Sequence, residues 1–184
     1  MPVAPQYAVV CYLAGDLSTF VESLRRELAP EQAHLQAHIT LLPPRRLQIS
    51  EEKAVALIQA TAESRAAIPV TIAEKPETFL SVSPTIYLPV AGGAERLCDL
   101  HAQLNSGAMP AAEPWPYIPH VTIANLPNPG QTRSDLELCA GRWKKYSGPR
   151  QFVVDQLVFV REEASGRWLD LGRFSLRSEA AAQL

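Results

Sequence analysis

The sequence predicts a mixed helix-and-strand protein built as two lobes that share one core. An order of strand, helix, strand, helix runs twice, and "HITL" from His38 and "HVTI" from His120 stand at the same place in each run. A closing stretch reads as two long strands about a turn. No linker long or polar enough to separate independent domains interrupts the 184 residues, a length at which one domain buries a substantial core. We therefore take 1–184 as a single two-lobed domain, with a first repeat at about 5–66, a second at about 84–145 and a hairpin at about 150–177.

The first apolar run, "YAVVCYL" (7–13), is short and rich in β-formers and predicts a central strand. In "GDLSTFVESLRREL" the residues Leu17, Phe20, Val21, Leu24 and Leu28 recur at helical spacing, with Asp16 as N-cap. The strand "AHITLL" follows and stops at Pro43-Pro44. A helix then starts at Ser50 with two acids in its first turn and an inner face of Ala54, Leu57, Ile58, Thr61 and Ala62.

After a β-like segment over 68–82 the order begins again. "PTIYLPV" (84–90) is a strand, "GAERLCDLHAQLN" a helix, "YIPHVTIANLP" the second H-x-T strand and "TRSDLELCAGRW" a helix. Both halves leave their first strand through Ala-Gly, at Ala14 and Ala91. Ala14 precedes His38 by 24 positions and Ala91 precedes His120 by 29, so the second half carries extra residues, which we place in the loop "GAMPAAEPWP". The tail from Arg150 to Ser178 predicts a hairpin turning near Ser165-Gly166, and "EAAAQL" a frayed end.

Composition excludes several classes. With 47% hydrophobic and 20% charged residues the chain reads as an ordinary globular protein. A formal net charge of −2 provides no overall positive field for a long polyanion. The N-terminus has no basic segment ahead of its apolar run and no apolar stretch approaches a membrane span, so we expect a cytoplasmic protein with no membrane association. Cys11, Cys98 and Cys139 are widely spaced, without a C-x-x-C pair, and read as small hydrophobes in a reducing compartment.

Side chains alternate across a strand, so His38 and Thr40 share one face while Ile39 and Leu41 share the other. His120 and Thr122 stand likewise opposite Val121 and Ile123. Related by a pseudo-twofold axis and facing each other across a cleft, these strands present two imidazoles and two hydroxyls to one centre, an arrangement suited to a tetrahedral phosphate. In-line displacement at phosphorus needs a base on one side and an acid on the other, and histidine serves either role near neutral pH. The threonine hydroxyls are donors for the non-bridging oxygens.

With these residues in place, the sequence resembles the 2H phosphoesterase superfamily, the group of the 2′-5′ RNA ligase-like proteins and cyclic nucleotide phosphodiesterases, through "HITL" and "HVTI" and the duplicated order around them. The resemblance implies a bilobal α+β fold with antiparallel sheets lining a central groove and helices outside. It implies His38 and His120 as acid and base, Thr40 and Thr122 as phosphate ligands, and no cofactor or metal. Members open 2′,3′-cyclic phosphates or ADP-ribose cyclic phosphate, join or cleave 2′-5′ linkages, or trim RNA ends. The expected partner is thus a nucleotide or RNA-end cyclic phosphate, handled by a monomer with no obligate protein partner. The alternatives are 2′-5′ ligase-type activity and a non-catalytic nucleotide-binding module.

Beyond the motif, Arg45 and Arg46 at the cleft mouth are candidates to pair with a phosphate, against the plainer reading of a solvated turn. One of the tail arginines could do the same. Tyr117 and Trp115, with Tyr87 and Phe79, are candidates to stack a base. His34 lies four residues before His38, but in a loop and without an acid or cysteine cluster, so we do not read a metal site; His101 reads as structural.

Overall fold

The computed structural model of the chain describes residues 4–79, 84–126 and 129–178. The end of the β-like segment expected at 80–82 and the tail expected to fray at 179–184 lie outside them. In chain order the elements are β1 (Tyr7–Tyr12), α1 (Gly15–Leu28), β2 (His38–Arg45), α2 (Glu51–Ser64), β3 (Ile68–Ile72) and β4 (Glu77–Phe79). There follow β5 (Thr85–Gly92), α3 (Ala94–Ser106), β6 (His120–Asn125), α4 (Thr132–Lys145), β7 (Gln151–Val154), β8 (Gln156–Glu162) and β9 (Trp168–Ser175). The fold is α+β.

The local chemistry explains most boundaries. Ser50 caps α2, its hydroxyl accepting the Lys53 N–H at 3.3 Å. At α1 the cap position belongs to Ala14, without a side-chain bond, so Asp16 lies in the first turn, where its charge still meets the helix dipole. Gly93 opens α3 at φ +82°, and a Cβ there would run into the Pro69 carbonyl oxygen, so this turn needs glycine twice over. Strand β2 does not stop at Pro43-Pro44 but runs on to Arg45. Beyond Ile39 its registered partners are on β1 alone, so the prolines fall where no second neighbour asks for an N–H.

The strands form one antiparallel sheet in the order β7-β3-β5-β6-β2-β1-β8-β9, with β4 added on β5. Strand β3 leaves the first half of the chain to pair with β5 of the second, and β8 returns to pair with β1. The helices cross over as well: α1 packs on β6 and α3 on β2. The expected hairpin turns at Gly166 (φ +79°), but its first strand is broken. At Asp155, a poor β-former, the chain passes from β7 at one end of the sheet to β8 near the other. The sheet therefore curls until its ends meet, where the Ala67 N–H donates to the Arg177 carbonyl and the Arg177 N–H to the Arg65 carbonyl, each at 2.8 Å.

Strand alternation divides the sheet into two faces. Val9, Cys11, Ile39, Leu41, Val121 and Ile123 are buried under the helices with Leu17, Val21, Leu24, Ile58, Leu97 and Trp143. Each such side chain contributes roughly 1.5–3 kcal/mol of transfer free energy. The inner face carries a smaller cluster, Ala8, Val10, Val158 and Val160 with Tyr12 and Trp168, beside the H-x-T residues. Cys11 and Cys139 are buried and Cys98 is partly covered.

Candidate active site

The two H-x-T strands are neighbours. β2 and β6 pair antiparallel with Ile39 opposite Val121, so they lie edge to edge within the sheet, and the groove is its inner face. This register sets His38 across from Thr122 and Thr40 across from His120. Directly opposed Cβ atoms in such a pair are about 5 Å apart and diagonal neighbours about 7–8 Å. The four side chains thus form a parallelogram, imidazoles on one diagonal and hydroxyls on the other, all half-buried on the groove floor.

Both imidazoles are held in the same way. His38 Nδ1 lies 2.7 Å from the Gln36 carbonyl and His120 Nδ1 lies 2.6 Å from the Ile118 carbonyl, in each case two residues earlier. A carbonyl only accepts, so Nδ1 carries the hydrogen and Nε2 of the neutral ring is free to take a proton. Burial lowers the His38 pKa to about 4 against the opposing pull of the Gln36 bond, with the charges of Arg25 and His120 acting in the same direction as burial. Burial also lowers that of His120. Burial thus favours the neutral form of both rings.

A tyrosine borders each histidine. Tyr12 meets His38 edge-on at 6.4 Å and donates to Asp170 at 2.7 Å. Tyr87 meets His120 at 5.0 Å and donates to Glu77 at 2.9 Å. Phe79 stacks on Tyr87 at 4.0 Å and also touches the His120 ring.

Cavities open on either side of the four residues, and Thr40 lines both. One of about 380 Å³ holds His38, with Tyr12, His34, Arg167, Trp168 and Asp170 in its walls. The other, about 660 Å³, holds His120 among Phe79, Pro43, Pro114, Trp115, Pro116 and Ile118.

The structure corrects the expectation for Arg45. Continuation of β2 puts it on the helix side with Ile39 and Leu41, where it is 8% exposed. Its guanidinium donates to the Pro43 and Met109 carbonyls, to Asn105 and to the Glu113 carboxylate, and it lines neither cavity. Tyr117 does line the larger cavity, but one ring face is covered by His101, parallel at 4.1 Å, and its phenol donates to the Thr40 carbonyl at 2.9 Å. It is part of the wall. His101 belongs to the same cluster, its Nδ1 2.7 Å from the Leu41 carbonyl and its Nε2 3.3 Å from Glu113.

Arg46 is exposed outside both cavities. Of the tail arginines only Arg167 lines either one. His34 faces the smaller cavity with Nδ1 2.9 Å from the Glu31 carbonyl. Among the described residues no three His, Cys, Asp or Glu side chains gather as a metal site.

Sequence reasoning missed Arg25, Tyr12 and Trp168. Arg25 had a signal: it falls between Val21 and Leu28 on the apolar arc of α1, where a charge needs a buried partner. It is 3% exposed and donates to the Leu35, Gln36 and Thr122 carbonyls behind the two motifs.

Compared with known proteins, residues 14–166 match the family model described as the 2′-5′ RNA ligase superfamily. The chain belongs to the 2′-5′ RNA ligase superfamily, the 2H phosphoesterases. A relative in Bacillus licheniformis, named "Putative phosphoesterase", is 26% identical over 89% of this chain and 94% of its own. One of the same name in Halalkalibacterium halodurans is 26% identical over 94% and 98%. Among solved structures, E. coli LigT complexed with NADP+ superposes with a TM-score of 0.60 at 18% identity, covering 95% of this chain and 99% of that one. Kluyveromyces marxianus Usb1 gives 0.58 at 12% identity over 92% and 99%. At these identities the likeness to LigT and Usb1 establishes a shared fold. Among the described residues of this superfamily member, no helix is long and apolar enough to cross a membrane.

Proposed function

We propose that the protein is a metal-independent phosphoesterase, a single two-lobed unit that hydrolyses 2′,3′-cyclic phosphates or related nucleotide and RNA-end phosphodiesters. The observation that carries this reading is the parallelogram of His38, Thr122, Thr40 and His120, with both Nε2 atoms free to exchange a proton. The phosphodiester lies between the imidazoles, its non-bridging oxygens accepting from the Thr40 and Thr122 hydroxyls. Its negative charge favours protonation of one ring. The neutral imidazole takes a proton from water as the water oxygen bonds to phosphorus. The bond from phosphorus to one ribose oxygen breaks, and that oxygen takes the proton of the imidazolium. The histidines finish with their protonation states exchanged, and solvent resets them.

Ligands of the fold neighbours support a nucleotide-like substrate: E. coli LigT has been solved with 3′-AMP and the Usb1 of K. marxianus with uridine monophosphate. The two cavities favour a second reading, cleavage or joining of a 2′-5′ linkage, since such a diester carries a nucleoside on each side of phosphorus and a cyclic mononucleotide carries only one.

The test is turnover of the four 2′,3′-cyclic nucleotides in EDTA by wild type, His38→Ala and His120→Ala, with the product isomer identified. Turnover to one isomer, lost by roughly 10²-fold or more in each variant, is expected. A rate abolished by EDTA and restored by a divalent metal would refute the metal-independent mechanism. Binding without turnover of any cyclic nucleotide or 2′-5′ dinucleotide would leave a binding module.

A further inference from the structure

Strands β2 and β6 share one registered pair, and on either side of it the motif carbonyls take their donors from elsewhere. The Thr40 carbonyl is held by a neutral phenol, Tyr117, at 2.9 Å. The Thr122 carbonyl, at the matching position, is held by a cation: Arg25 donates to it from Nε at 3.1 Å and from Nη2 at 2.7 Å. Arg25 Nη1 reaches the Leu35 carbonyl at 2.8 Å and the Gln36 carbonyl at 3.1 Å. Its hydrogen-bond partners are thus backbone carbonyls.

A buried charge bonded to dipoles alone is costly. Since a phenol performs the same task at Thr40, holding the strands together does not by itself call for a cation. What the charge does differently concerns His38. The Gln36 carbonyl that accepts from Arg25 also accepts the Nδ1–H of His38, so cation and imidazole share one oxygen. His120 rests instead on the Ile118 carbonyl, and Arg25 makes no bond there.

We propose that Arg25 is a positioning residue that makes the two histidines unequal, keeping His38 neutral as the base toward water and leaving His120 to act as the acid toward the departing oxygen. This rests on the phosphoesterase reading above. A second positive charge on His38 would face Arg25 directly, whereas one on His120 would not. The other charged or titratable groups around His38 do not cancel the effect. Glu22 of α1, whose carboxylate acts on the Arg25 charge, accepts from Ser18 and the Ala37 N–H, and the Arg25 charge still disfavours a proton on His38. Tyr12 of β1 donates to Asp170 of β9, and Arg173 pairs with the same Asp170. Across the smaller cavity, Arg167 is paired with Glu163, and His34 has Nδ1 on the Glu31 backbone carbonyl. Around His120 stand Phe79 and Tyr87, the latter donating to Glu77.

Two measurements test the assignment. The first is a ¹⁵N NMR titration of the imidazoles in the unliganded wild type and in Arg25→Gln. The wild-type His38 is expected to take its proton at lower pH than His120, and the variant to move His38 upward by about one pH unit, leaving His120 in place. A wild-type His38 that titrates at or above His120 would overturn the proposal, as would a folded variant with His38 unmoved. The wild-type order needs no variant to fold.

The second compares a 2′,3′-cyclic nucleotide with a nucleoside p-nitrophenyl phosphodiester, whose leaving group needs no proton. His120→Ala should lose about 10²-fold on the former and less than about tenfold on the latter, while His38→Ala loses on both. The reverse pattern, or equal losses, would overturn the assignment. Wild type turning over neither compound overturns the phosphoesterase reading, and the titration still judges the ordering of the histidines.

Discussion

Removing the charge of Glu113 should destabilise the protein and loosen one wall of the groove. Arg45 and Glu113 form an ion pair whose side chains are 7% and 17% exposed, on the helix side of β2. Breaking a buried pair by neutralising one partner costs about 3–5 kcal/mol, because the remaining charge is left without compensation. Here Arg45 keeps three neutral acceptors, the Pro43 and Met109 carbonyls and Asn105, and Glu113 retains some contact with water. We therefore expect Glu113→Gln to fall below that range, at about 2–3 kcal/mol. For a domain of this length each kcal/mol lowers Tm by about 2–4 °C, so the variant should melt roughly 5–10 °C early. The assay is thermal unfolding by circular dichroism, with Arg45→Met and the double variant completing the cycle. The double variant should lose less than the sum of the singles, since it leaves no orphaned charge. A Glu113→Gln protein melting within about 1 °C of wild type would refute the reasoning.

Three further outcomes are expected. Replacing Thr122 by Val keeps its shape and removes a donor, and should lower kcat on a cyclic nucleotide by about 10²-fold in steady-state assays; an unchanged kcat would exclude it as a ligand of the transition state. Burial takes His38 from 6.5 to about 4, so the folded chain binds fewer protons than the unfolded one between those values. Its contribution to stability is complete above about pH 6.5 and is lost as pH falls toward 4. The urea midpoint should therefore fall less steeply over that window in His38→Asn than in wild type, and identical slopes would count against the shift. Trp115 is 63% exposed at the rim of the larger cavity, and Trp115→Ala should raise KM for a 2′-5′ dinucleotide by more than for a cyclic mononucleotide; an equal effect on both would separate that cavity from substrate binding.

The repeat and its motifs were legible because they rest on local rules. The alternation that sends Ile39 toward the helices sends His38 and Thr40 into the groove whatever the rest of the chain does. Which strands become neighbours is a long-range matter, and no periodicity foretells that α1 covers β6, that β3 joins β5, or that the long closing strand breaks at Asp155. The error at Arg45 came from reading Pro43-Pro44 as a stop. With the strand continued through both prolines, alternation puts Arg45 on the side of Ile39 and Leu41, and prolines are admissible wherever the sheet does not need their N–H. Arg25 escaped for a related reason: helical spacing shows that a side chain is buried, but its carbonyl partners lie 10 to 97 residues away in sequence.

The matching halves of the site begin alike, yet the proposed hydrolysis runs in one direction and needs them different. The matched features come as pairs, Tyr12 with Asp170 answering Tyr87 with Glu77, and the Gln36 carbonyl answering that of Ile118. The differences accumulate around them. A cation stands behind His38, and a smaller cavity with Arg167 and His34 in its walls opens beside it. A larger cavity walled by Phe79, Trp115 and prolines opens beside His120, bounded by the loop that is longer in the second half of the chain. With His120 as the acid, the departing oxygen leaves toward the roomy apolar side, while the water that attacks, the smaller participant, is activated on the cramped polar side. Protonation makes the leaving group a neutral alcohol, and an apolar cavity accepts a neutral alcohol far more readily than an alkoxide. The size and polarity of the two cavities thus favour the same direction of reaction as the charge of Arg25, from observations that do not depend on it.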